Sequence, residues 1–444
     1  MTRYVRPLTH AYTLTLLIAC LGAVRCSSPS DPPAAPTRTA FAEAPSSLSR
    51  DQLYDKVLGM LLGSAIGDAM GAPTEMWSRR AMAIDYGFVD RLDTMVREPS
   101  PEGTWDYNLP AGGTTDDTRW KKLMVDYLLT QPTPFGSSRL PDAPTFARFI
   151  VREYTNAQQE LKQVEGFDPE PFEASSRRMA WLQEWARVAK PFAEDNLEAY
   201  ATALSRFYGG EVTCAGMLYT PTLGAYYPGA PEIAYQAAYR LSLFDLGYAR
   251  DISALTAALV AAAMRPNPTP AGVLAVLRDV DPQGYFKSRL VGRSSYRIYR
   301  EARRIVHTAN ELTRADIDTA RLLLPTHLAP NTLFWGRAQR AYELLDLQNQ
   351  DMPFHAGEIH LVNLTALLFC NFDFERSLAF VINYGRDNDT TGAVTGAILG
   401  AYWGASRLPE EMKEKVLTAD SLVMQTNTLR IARQLTDQIA ARNR

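Results

Sequence analysis

Apolar residues recur every three to four positions over most of the chain from about Leu53 onward, the spacing that lines one face of an α-helix. The stripe is cleanest over 117–129, where positions 120, 123, 124, 127 and 128 are apolar. Stretches 145–161, 174–189, 231–243, 252–264, 272–279, 296–312, 331–346, 357–369, 374–383 and 421–441 repeat it, and 199–208 does so more weakly. Strand-like alternation is nearly absent, and Pro73 and the Pro266, Pro268, Pro270 cluster punctuate helices. The pattern predicts an all-α, compact, single-domain multi-helix protein without internal repeats.

Two further helices, 57–70 and 390–405, carry glycine instead of a polar face. Glycine recurs at 59, 63, 67 and 71 in one and at 392, 396, 400 and 404 in the other, a spacing that keeps it on nearly one side of each helix. Each interior glycine costs about 1 kcal/mol relative to alanine. Tertiary packing must offset that penalty, so both helices are expected to be buried, backbone against backbone. Such an arrangement would bring Asp387 and Asp389 close to the residues that follow Gly71.

The N-terminus reads differently. Arg3 and Arg6 precede the apolar run 14–24, and no acid occurs before Asp31. This is a secretory signal, too short to span a bilayer as a stable helix. Leu17-Ile18-Ala19-Cys20 resembles a bacterial lipobox, so residues 1–20 are expected to be a signal peptide and Cys20 a lipid anchor. Residues 21–50, rich in Ser, Pro and Ala, read as a tether, leaving 51–444 as the folded domain. The protein is then expected to be exported and to touch a membrane only through that anchor. A formal charge of -3, from 46 basic and 49 acidic residues, gives no footprint for nucleic acid. Cys214 and Cys370 are either buried thiols or one disulfide, and no cysteine or histidine spacing suits zinc.

Chemistry concentrates at two predicted helix mouths. Gly112-Gly113-Thr114-Thr115-Asp116-Asp117-Thr118 precedes one, and Asp387-Asn388-Asp389-Thr390-Thr391 opens the other. One aspartate suffices to cap a helix, so two clusters with carboxylates to spare point beyond capping. Hard oxygen donors without Cys or His suit Mg²⁺, Mn²⁺ or Ca²⁺. If both clusters meet, two divalent cations would balance their charge and could activate a water. A basic side chain filling the gap between them would undo that reading. Asp68 and Glu75 add two acids beside the first glycine-striped helix; Asp68 reads as a supporting hydrogen-bonder, and Glu75 sits past Pro73 where it can reach inward.

These stretches resemble the ADP-ribosylglycohydrolase family: GxxxGDAxGAPxE at 63–75, TDDT at 115–118, and GxDxDTxGAxxGAxxGAxxG at 385–404, within a likeness spanning about 55 to 405. The resemblance implies an all-α fold with a binuclear Mg²⁺ centre (Mn²⁺ as substitute) that cleaves an N- or O-glycosidic bond at an ADP-ribose anomeric carbon. It implies Thr115, Asp116, Asp117, Asp387, Asp389 and Thr390 as metal ligands, with Glu75, Asp117 and Asp389 as catalytic carboxylates. Gly113, Gly216, Met217 and Arg386 are the candidate substrate contacts. Arg386 stands where many members have glycine, and Asn388 where threonine is usual. The stretch 213–218, TCAGML, lacks the asparagine and arginine of better-known members, and a family histidine is missing around Phe244-Asp245. The expected substrate is therefore an ADP-ribosyl or related ribosyl conjugate. A ligand-binding lipoprotein and a hydrolase of another envelope glycoside stand as alternatives, separable by turnover.

Overall fold

The computed structural model describes residues 48–96, 108–131, 140–163, 169–319, 322, 324–423 and 427–442. The signal expected at 1–20 and the tether up to residue 47 lie outside the described residues. Helix follows helix through the rest, and among the described residues the sheet content is one two-residue antiparallel ladder, Met95–Val96 with Asn108–Leu109. No helix among them is long and apolar enough to cross a membrane.

Four helices position the site: α1 (Arg50–Gly71), α2 (Asp116–Leu129), α3 (Ala249–Ala263) and α4 (Asn388–Trp403). α1 begins upstream of the apolar pattern because Ser49 and Gln52 form a capping box. The Gln52 amide donates to Ser49 Oγ at 3.2 Å, and the Ser49 amide donates to Gln52 Oε1 at 2.9 Å. From Val57 to Gly71 every residue of α1 is buried, and so is every residue of α4 from Asn388 to Ala401. Helices buried on all sides show no amphipathic stripe, which is why glycine spacing was the informative signal in these two.

α1 and α4 pack antiparallel at backbone contact. A Cβ on Gly59 or Gly63 would overlap the carbonyl oxygen of Gly400 or Gly396, and one on Gly67 would overlap that of Gly392. At the open end, a Cβ on Gly71 would collide with the backbone of Asp389. Lys56 ties the other end together: its Nζ donates to the Ala263 carbonyl of α3 and to the Ala401 and Tyr402 carbonyls of α4 at 2.9–3.1 Å. Orphan helix-end carbonyls are thereby satisfied.

Elsewhere the outcome differs in detail from the periodicity. The stretch 421–441 is two helices, Glu410–Leu422 and Thr428–Arg442. The Asp420 carboxylate accepts from the amide and hydroxyl of Thr428 at 2.9 and 2.8 Å, so one side chain near the end of the first helix caps the second. The short buried helix Thr220–Tyr226 carries no polar face and was not legible as a stripe. Cys214 and Cys370 are free, buried thiols. Trp181 and Trp185 are packing residues whose rings lie 5.2 and 4.1 Å from that of Trp120.

Candidate active site

Antiparallel pairing of α1 and α4 sets the C-terminal end of one beside the N-terminal end of the other. The loops flanking that junction are laced together. The Met76 amide donates to the Arg386 carbonyl at 2.7 Å, and the Arg386 amide donates to the Trp77 carbonyl at 2.7 Å. The lacing requires left-handed backbone at Met76 (φ 64°), Gly385 (φ 82°) and Arg386 (φ 67°). Asn388 adds a side-chain tie, its Nδ2 donating to Thr74 Oγ1 at 2.9 Å and to the Ile382 carbonyl at 3.1 Å. A threonine at 388 could not make both bonds.

The mouth of α2 docks onto this junction through Asp68, the wholly buried acid on α1. Asp68 Oδ1 accepts from the amide and hydroxyl of Thr115, each at 2.9 Å. Its Oδ2 accepts from the Thr118 amide at 3.0 Å and hydroxyl at 2.5 Å. Four donors on one carboxylate hold the TDDT turn against α1.

The two acid clusters then touch. Thr390 Oγ1 donates to Asp117 Oδ2 at 2.9 Å across 273 positions of sequence. Thr115 Oγ1 lies 3.1 Å from Asp389 Oδ2 across 274 positions. Asp117, Asp387, Asp389 and Glu75 are all buried, and Asp116 is partly so. Neither Asp387 Oδ1 nor Asp389 Oδ1 has a hydrogen-bond partner, although both are enclosed. Cys214 Sγ lies 3.9 Å from Asp387 Oδ2, a weak thiol contact.

Crowding acids away from water raises their pKa values. Burial, reinforced by Asp117, pushes Asp68 up to about 6 against the hydrogen bonds it accepts. Burial followed by Asp117 and Asp68 pushes Asp116 up to about 7. Burial is likewise the main reason that Asp387 rises to about 6. Asp389 is raised well above the usual carboxylate range, through burial first and Glu75 second. Such a cluster gains from anything positive placed within it.

One base already touches it. Lys121, one turn into α2, directs Nζ to Asp117 Oδ1 at 3.2 Å and to the Asp117 carbonyl at 3.1 Å, and both side chains are almost fully buried. It is bonded to one of the acids through which the helix mouths meet, while the mouths themselves stay in direct contact through Thr390 and Thr115. Lys121 is not among the candidate residues that the motifs single out. The signal was its place on the inward face of α2, four residues after Asp117 and three before Met124.

The other nominated residues occupy different ground. Gly113 is buried in the turn ahead of α2, where a Cβ would strike the Leu109 side chain. The Gly216 amide donates to Asp245 Oδ1 at 2.8 Å, and Met217 is in the apolar core. Arg386 carries its guanidinium to Glu358, making a two-pronged pair at 2.7 and 2.8 Å, and donates to the Gln350 carbonyl at 2.6 Å. His355 caps its helix through Nδ1, which accepts from the Gly357 amide at 3.1 Å.

Among the described residues no three Asp, Glu, His or Cys side chains are already drawn into a cation cage. The donor chemistry nevertheless fits a hard divalent cation. It is all oxygen, it is buried, and it leaves two carboxylate oxygens unsatisfied.

Comparison with known proteins places this arrangement. A solved structure titled "ADP-ribosylglycohydrolase-related protein complex" superposes with a TM-score of 0.51 at 18% identity, covering 87% of this chain and 99% of that one. At that identity the likeness speaks for the all-α fold. The ADP-ribosylglycohydrolase family model matches residues 49–444, and the chain belongs to that family. "Uncharacterized protein YegU" of Escherichia coli (strain K12) is 36% identical over 75 residues, 17% of this chain. The match spans 21% of that relative's length. Family membership supports a glycohydrolase-type activity, and the family is generally metal-dependent.

Proposed function

We propose that the protein is a divalent-cation-dependent hydrolase that cleaves an N- or O-glycosidic bond of an ADP-ribosyl or related ribosyl conjugate with water. The reading is carried by the meeting of Asp117 with Thr390 and of Thr115 with Asp389, residues 273 and 274 positions apart in the chain. Asp387 Oδ1 and Asp389 Oδ1 are the donors open to a cation, with Thr115, Asp116, Asp117 and Thr390 completing the candidate set. Bound there, Mg²⁺ or Mn²⁺ would hold ribose hydroxyls and acidify a water.

The chain's own groups do the remaining work. Asp68 orients the TDDT turn through four hydrogen bonds, so the α2 donors need little rearrangement. Asp389 and Glu75 are buried and electrostatically coupled, a pair suited to receiving a proton as water attacks the anomeric carbon. With Arg386 committed to Glu358 and Leu218 standing where relatives have arginine, phosphate recognition must come from elsewhere.

The test is hydrolysis of ADP-ribosyl-arginine, ADP-ribosyl-serine and nucleoside-like glycosides with Mg²⁺ or Mn²⁺, with Asp387→Ala and Asp389→Ala as controls. Turnover lost in both variants is expected, and no turnover on the whole panel would remove the proposal. Export with a lipid on Cys20 belongs to the same reading. Fatty-acid labelling that persists in Cys20→Ala would remove that part.

A further inference from the structure

The acid cluster contains a built-in cation. Lys121 Nζ and Asp117 Oδ1 are 3.2 Å apart, with 2% and 1% of their side chains exposed, so neither is hydrated well enough to be independent of the other. A buried ammonium of this kind persists only when paired. The pairing also divides the donors. Asp117 uses Oδ1 for Lys121 and Oδ2 for the Thr390 hydroxyl. At the mouth of α4, Asp387 Oδ1 and Asp389 Oδ1 have no partner although each residue is at most 3% exposed. The cluster is therefore unevenly supplied: Asp117 has a cation at one oxygen and a hydroxyl at the other, whereas Asp387 and Asp389 on α4 each keep a buried oxygen without a partner, and Asp116 on α2 lies among like charges. Lys121 acts beyond its own partner too, its charge offsetting part of the rise in Asp68.

We propose that Lys121 takes the place of one of the two cations expected for this family, so that the site binds a single divalent ion against Asp387 and Asp389. The inference rests on the hydrolase reading of the same site and adds to it a metal number and a residue that sets it. The geometry gives a simple electrostatic account. A second dication beside Asp117 would sit within a few ångströms of a fixed ammonium in a dry site. At that range like charges repel strongly, because little water is present to screen them. Removing the ammonium while keeping the side-chain volume should open the second position.

The experiment uses the full chain stripped with EDTA and titrated with Mn²⁺. Bound metal is counted by equilibrium dialysis with elemental analysis, and neighbouring ions are detected by low-temperature EPR, where a spin-coupled pair differs from an isolated ion. The expected result is about one Mn²⁺ per wild-type chain with the spectrum of an isolated ion, and about two with a coupled spectrum in Lys121→Met. Lys121→Arg, which keeps the charge, should stay at one. Two ions in the wild type overturn the inference and leave the hydrolase reading intact. One ion in all three proteins also overturns it, because Lys121 would then not set the number. No ion in the wild type overturns both. Circular dichroism identifies a misfolded Lys121→Met protein, in which case Lys121→Gln takes its place and is read by the same criteria.

Discussion

Asp68 illustrates how much one side chain can organise. It is wholly buried and accepts four hydrogen bonds from Thr115 and Thr118, so replacement by asparagine would point an amide group at donors. Asp68→Asn is expected to lower unfolding free energy by about 1.5–3 kcal/mol, measured by urea titration. A variant as stable as the wild type would show that these bonds do not hold the TDDT turn. The same residue scale carries a pH prediction. Asp68 and Asp116 are raised from 3.8 to about 6 and about 7. A carboxyl group with a raised folded-state pKa keeps its proton in the folded chain where the unfolded chain has released it. Its contribution to stability is therefore complete below the unfolded value and is lost as pH rises through the folded value. Cation-free protein should lose melting temperature between about pH 4 and pH 7, the interval from the unfolded value to the folded ones, and excess Mn²⁺ should flatten that decline, as read by differential scanning fluorimetry. Arg386 shows the opposite economy. It holds a left-handed conformation that glycine adopts without strain, and the Glu358 pair offsets the cost.

At the scale of elements, the glycine stripes let two helices approach until carbonyls of one occupy the space of absent side chains on the other. Alanine is the better helix former by about 1 kcal/mol, so propensity alone predicts that Gly63→Ala and Gly396→Ala stabilise. Packing predicts the reverse. A methyl group at either position would meet backbone, which cannot rotate away, and overpacking of this kind costs about 1–3 kcal/mol or more. Net destabilisation is the expected sign for both, measured by thermal and urea unfolding. A gain in stability at either would mean that the helices are farther apart than described. Because the stripes set the distance between α1 and α4, the same substitutions should weaken Mn²⁺ binding by shifting Asp389 away from α2.

The whole molecule links segments that are remote in sequence. The contacts that build the site join positions 273 and 274 residues apart, and Lys56 joins the far end of the helix pair across 345. A ligand held from both sides should therefore stabilise the entire fold. At a free Mn²⁺ concentration of 100 times Kd, unfolding free energy should rise by about 2.7 kcal/mol. Asp389→Ala should abolish the gain while leaving the ion-free stability little changed or higher, since it removes a buried acid lying beside Glu75 and Asp387. An equal gain in the variant would place the ion elsewhere.

Much of this architecture was legible along the chain. Helical periodicity gave the all-α class, glycine at every fourth position marked the central pair, and surplus aspartates at two helix mouths marked the chemistry. Those features are local, and local spacing is sufficient to express them. The boundary at Asp420 and the short helix Thr220–Tyr226 were not legible, because a cap contributed from a neighbouring helix and an element with no polar face leave no period to read. Tertiary structure alone decided how charge is distributed within the site. Nothing in the spacing says that Asp68 takes four donors or that Arg386 turns to Glu358, and the four-residue step from Asp117 to Lys121 allows their pairing without saying that the pair is buried in the site. Those outcomes depend on which helices bury which faces against one another, and pairing inside a dry cluster is settled by distance in space rather than along the chain.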